Sequence, residues 1–215
     1  MNNLKIKTMD FLKALNDVQK SVKVSIDIND LQNLKAANYC LCFAKKVNNA
    51  YTVVWQSYDK YLVDNTFSWT PQYQLFGTNT FQDNITVNVN TNIVNIGLSE
   101  TSILNQYGVL GNPVTGGADT GFTMDNQYGS IHPGVNQVST GINGQITATP
   151  IYVAEAPIMQ GTCFLQPVEK ALIWFEQDIQ TGTMFSTARS RDIEVDLTQT
   201  NSVHIQYKNQ QWSII

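Results

Sequence analysis

The spacing of apolar residues along this chain changes period early. From Thr8 to Val22, Phe11, Leu12, Leu15 and Val18 recur at three- and four-residue intervals, with Thr8 or Asp10 available as N-cap. This predicts one short amphipathic helix within an N-terminal helical segment, residues 1–20. The period then falls to two: Val22, Val24, Ile26 and Ile28 alternate with Lys23, Ser25 and Asp27, the signature of a strand with one apolar face.

Further strands follow. "NYCLCFA" and "AYTVVWQS", separated by "KKVNN", read as a hairpin of aromatic and β-branched residues. "TFSWTPQYQLFG" reads as two short strands broken at Pro71, because proline cannot donate to a central ladder. Ile85, Val87 and Val89 alternate with Thr86, Asn88 and Asn90 until the register shifts near Thr91.

Residues 105–150 are looser, with Pro113 and Gly116-Gly117 as breakers, and are expected to form long central loops; Asn143-Gly144 within them is a two-residue hairpin signal. Strands resume with "PIYVAEAP", "CFLQPVEKALIWFEQDI" and "TMFSTARS". In "RDIEVDLT" and "SVHIQYK" the alternation is clean: Ile193, Val195 and Leu197 face one way and Asp192, Glu194 and Asp196 the other, then Val203, Ile205 and Tyr207 oppose His204 and Gln206. Roughly ten short strands, turn signals throughout and no βαβ rhythm predict a mainly β protein. The expected fold is an antiparallel β-sandwich, two-sheet and jelly-roll-like or related, as a single domain over residues 1–215, with a closed barrel as the competing architecture.

Charge narrows the function. Charged residues are only 14% of the chain, and Asn, Gln, Thr and Ser take their place. All 13 Lys and Arg lie between Lys5 and Lys60 or between Lys170 and Lys208; from Tyr61 to Glu169 only carboxylates carry charge. A nucleic-acid footprint needs clustered cations, so no nucleic-acid partner is expected, and a net charge of −4 disfavours an anionic membrane surface. No run is long and apolar enough for a transmembrane segment, and the opening residues lack a signal-peptide core. Synthesis in the cytoplasm is expected, with leaderless release left open.

No reaction chemistry is legible. His132 precedes a proline and His204 sits on a polar strand face; neither accompanies a nucleophile signature. Cys40 and Cys42, two apart on a strand, would need Cys163 or a histidine to hold a metal, and buried thiols are the simpler reading. Asp192, Glu194 and Asp196 lack the curled, glycine-bearing loop of a calcium site and read as a soluble face paired with Arg189, Arg191 or Lys170. No catalytic residue, cofactor or metal is therefore expected.

What remains is a polar surface free of cations. It suits a non-enzymatic, self-assembling structural protein, a homo-oligomer building filaments, layers or intracellular crystals. The alternatives are a lectin-like glycan binder and a β-pore-forming toxin-like protein, the latter suggested by the sparsely charged "FQDNITVNVNTNIVNIGL". For the glycan reading, Trp69, Tyr73, Asp125, Asn126 and Tyr128 are the candidate ligand-binding residues.

Overall fold

The computed structural model describes residues 19–189 and 191–215. The helix predicted over Thr8–Val22 lies outside them except at its end, where the chain is already strand β1 (Lys20–Ile26), burying Val22, Val24 and Ile26 as the alternation requires. The described helix is instead α1 (Ile28–Ala36), with Asp27 as N-cap accepting a hydrogen bond from Asn29 N. Ile28, read above as part of a strand face, is its first residue and is exposed. Asn38 then turns the chain at φ 55°, a left-handed conformation that Asn tolerates.

The fold is mainly β, sandwich-like, and built from several sheets. The predicted hairpin is β2 (Tyr39–Val47) with β3 (Gln56–Tyr58), closed by a bridge between Val47 and Ala50. The segment expected to break at Pro71 is one strand, β4 (Asp64–Thr78). Proline is accommodated because β1 pairs with β4 only up to Trp69, β5 (Val94–Ile96) begins at Tyr73, and the pairing on the opposite side shifts register between those two residues. Pro71 thus sits in a bulge where no ladder bond is asked of it.

Strands occupy much of the expected loop region: β6 (Glu100–Leu104) leads to β7 (Val114–Thr115), β8 (Phe122–Asn126), β9 (His132–Thr140) and β10 (Ile146–Val153). The β9–β10 turn is the Asn143-Gly144 turn, with Gly144 at φ 76°. The chain continues through β11 (Gly161–Leu165), β12 (Pro167–Gln177), β13 (Ile193–Asp196), β14 (Ser202–Lys208) and β15 (Gln211–Ile214). Of "TMFSTARS", residues 183–189 form no strand and contribute bridges at Thr183 and Met184.

A seven-stranded sheet runs β10-β9-β4-β1-β14-β15, with β5 added to β4, and two four-stranded sheets run β13-β12-β2-β3 and β11-β8-β6-β7. Pairing is not purely antiparallel: β1 lies parallel to β14, and β6 parallel to β8. Both small sheets share one core with the large sheet. Phe43 of β2 stacks on Phe67 of β4 with centroids 4.5 Å apart, and Phe122 of β8 meets Tyr73 of β4 at 5.6 Å. The segment suggested for pore insertion forms no hairpin with itself. Asn84 N donates to Met184 O, Met184 N to Ile85 O, and Val87 and Val89 pack on a satellite core of Val53, Phe76, Val153 and Met184.

Candidate functional site

The five candidate ligand residues divide between core and surface. Trp69 and Tyr73, from opposite sides of the β4 bulge, are 1% and 4% exposed, so neither ring is free to cover a sugar. Asn126 is also buried, its amide donating to Gly129 O and Met159 O while its side-chain oxygen accepts from Tyr128 N. That turn presents Tyr128 at the surface, next to the strand that carries Asp125. Asp125, Asn126 and Tyr128 are therefore brought together, and Trp69 and Tyr73 are not among them.

Asp125 belongs to a larger feature. Ser102, Leu104, Phe122, Met124 and Leu165 point into the core from β6, β8 and β11, so the alternate residues face out. Pairing registers lay these out in two rows: Val114, Thr101, Thr123 and Phe164 in one, Ile103, Asp125 and Thr162 in the other. Ile103, Val114 and Phe164 are exposed, as are Leu98, Tyr107, Val109, Tyr128 and Met159 around them. No Lys or Arg occurs between Tyr61 and Glu169, so this face has none. The sequence showed the missing cations but not that the apolar residues share a face.

Charge is concentrated in the other small sheet. Lys45 of β2 is fully buried, with Nζ 2.7 Å from Glu169 Oε2, the same oxygen to which Trp69 Nε1 donates at 2.9 Å. Burial pulls the Lys45 ammonium down to about 8, against the pull of Glu169. On the outer face Glu194 meets Lys46, Lys170 and the Tyr51 hydroxyl, and Lys170 also meets Asp196. The expected pairing with Lys170 is present, whereas Arg189 pairs with Glu176.

Residues of α1, β2, β12 and β14 line a solvent-open cavity of about 560 Å³. Tyr39, Phe175 and Tyr207 line it together with Asp30 and Asn33 of α1 and with Arg191. Phe175 and Tyr207 meet edge to face at 4.9 Å, and Trp212 backs both, stacked on Phe175 at 5.3 Å. Burial first, and the Asp30 charge second, push the Tyr207 phenol up, with Arg191 opposing. Sequence reading missed this site because its residues come from segments far apart along the chain.

The histidines occupy separate places. His132 Nδ1 lies 2.7 Å from Ala154 O at the start of β9, and His204 Nε2 lies 2.8 Å from Ser25 Oγ, whose hydroxyl donates to Asp64. In the second group serine sits between the acid and the base, the wrong order for a relay in which histidine activates serine. Burial raises the Cys42 thiol, and Cys163 stands on a different sheet from Cys40 and Cys42. Among the described residues no group of three or more His, Cys, Asp or Glu is placed to hold a metal, and no helix is long and apolar enough to cross a membrane. Compared with protein-family models, curated proteins and solved structures, the chain matches none.

Proposed function

We propose that this protein is a self-assembling structural protein whose copies associate through the outer face of the β11-β8-β6-β7 sheet. The observation that carries the reading is that face itself: open, free of cations, with Ile103, Val114 and Phe164 set among threonines. An interface core of this type is depleted in charge and rich in apolar and aromatic groups. Short Thr side chains lose little rotamer freedom on contact, whereas Lys loses much.

Three strands of five residues and one of two span roughly 270 Å² by strand spacing and rise. A stable interface needs about 800 Å² per partner. The flanking Tyr107, Val109, Tyr128 and Met159 extend the patch, and the contact is expected to be weak singly and effective when repeated.

Sedimentation velocity and negative-stain imaging across concentration test it. Large ordered species should grow with concentration and as pH approaches the pI of about 5.0, where net charge fades. Ile103→Lys with Phe164→Lys should abolish them, while Leu62→Lys, an exposed site elsewhere, should not. A monodisperse monomer at every concentration overturns the reading. The grouping of Asp125 and Tyr128 favours glycan binding as the second reading; there, glycan-array signal would be lost in Tyr128→Ala and the protein would stay monomeric.

A further inference from the structure

The cavity lined by α1, β2, β12 and β14 holds a carboxylate, Asp30, that has no hydrogen-bond or ion-pair partner among the described residues. Asp30 stands at the third position of α1, where an acidic side chain ordinarily turns back to the N-cap amide. That amide is taken: Asp27 N donates to Tyr207 O at 2.9 Å. Asp30 is 8% exposed and lines the cavity, and its carboxylate takes no hydrogen bond from, and forms no ion pair with, any described residue. Its oxygens keep a small area open to the water of the cavity, so a cation seated there would be their direct partner.

The walls define the chemistry of that group. Tyr39, Phe175 and Tyr207 offer aromatic surface, and aromatic faces attract cations through their quadrupole. Elsewhere the chain already uses such contacts: Lys35 Nζ lies 3.8 Å from the Tyr61 ring centre and Lys45 Nζ 4.7 Å from that of Trp69. A methylated ammonium fits better than a primary amine, since its methyl groups are solvated by rings and it brings no N–H that must find an acceptor. Arg191 lines the same cavity without forming an ion pair to Asp30. Two opposite charges kept apart in one cavity match a ligand that carries both.

We propose that this cavity binds a small zwitterion with a quaternary ammonium head, its cation between the rings and Asp30 and its anionic group on Arg191. Phosphocholine has this chemistry, free or as a lipid headgroup. This site is independent of the assembly face.

Titration calorimetry, with Trp212 fluorescence as a second readout, uses the full chain with tetramethylammonium chloride and with phosphocholine. Both should bind saturably, phosphocholine more tightly. Asp30→Asn should weaken both by about tenfold, and Arg191→Gln should bring phosphocholine down toward tetramethylammonium while leaving tetramethylammonium unchanged. Should Asp30→Asn fail to fold, the wild type still decides: it should prefer choline over its uncharged carbon isostere by about tenfold. Co-sedimentation with phosphatidylcholine but not phosphatidylglycerol vesicles assigns a lipid source, and phosphocholine binding without co-sedimentation assigns a free one. No saturable binding of either probe, equal affinity for the isostere, or unchanged affinity in a folded Asp30→Asn overturns the proposal.

Discussion

The two four-stranded sheets lie against the same large sheet and treat their outer faces in opposite ways. In β13-β12-β2-β3, part of the outer face lies under Val54, Ile179 and Phe185, and Lys46, Lys170, Glu194 and Asp196 occupy the remainder as a network. In β11-β8-β6-β7 the face is neither covered nor charged with cations, and isoleucine, valine and phenylalanine meet solvent directly. Paired charges hold a sheet face in water and discourage unwanted pairing. Their absence from only one of two otherwise comparable sheets teaches that the bare face is a local property and not a consequence of low charge throughout.

The comparison extends inward, where it can be broken most severely. Glu169→Gln leaves the fully buried Lys45 ammonium without its carboxylate and should cost about 3–5 kcal/mol in urea unfolding. Phe122→Ala, which empties the contact to Tyr73 from the bare sheet, should cost a similar 3–5 kcal/mol by cavity formation. The two losses differ in origin, and pH separates them. Lys45 binds its proton less tightly folded, at about 8, than unfolded, near the ordinary 10.5. Between those values the unfolded chain holds more protons, so this group's contribution to stability rises with pH. Wild-type stability relative to Lys45→Met should therefore increase from about pH 8 to pH 10, while the gap between wild type and Phe122→Ala should stay flat.

The smallest effects belong to the outer faces. Glu194→Gln, in a partly exposed network, should cost about 0–1 kcal/mol and less in high salt. Thr123→Lys on the bare face should change the stability of the single chain by no more than about 0.5 kcal/mol. It should nevertheless suppress concentration-dependent sedimentation. A large loss of chain stability there would mean that the face is packed against part of the chain itself.

Alternation carried β1, β13 and β14 into view, and the aromatic run carried the β2–β3 hairpin, because in each the inward residues are apolar. β9 was missed for the opposite reason. Its core-facing positions after Val135 are Gln137 and Ser139, both buried, and Gly134 lies where a side chain would strike the Phe76 ring. A strand with polar residues inside and none charged outside has no period to read. Helix α1 did leave a signal in Asp27, Leu31 and Leu34, but Ile28 extended the strand alternation across its start. The candidate face was half legible: the missing cations were visible, whereas the registers that align Phe164 with Thr123 and Thr123 with Thr101 are tertiary. The aromatic cavity was invisible, since nothing local links Asp30 to Tyr207 or Phe175.

The parallel pairing of β1 with β14 also governs when the molecule can exist. Ser21 waits for Ser202, and Ile26 for Tyr207, so the middle of the largest sheet stays open on one side until translation has passed Lys208. During that interval an emerging chain presents a hydrogen-bonding margin with Val22, Val24 and Ile26 beside it, the kind of open edge on which non-native pairing starts.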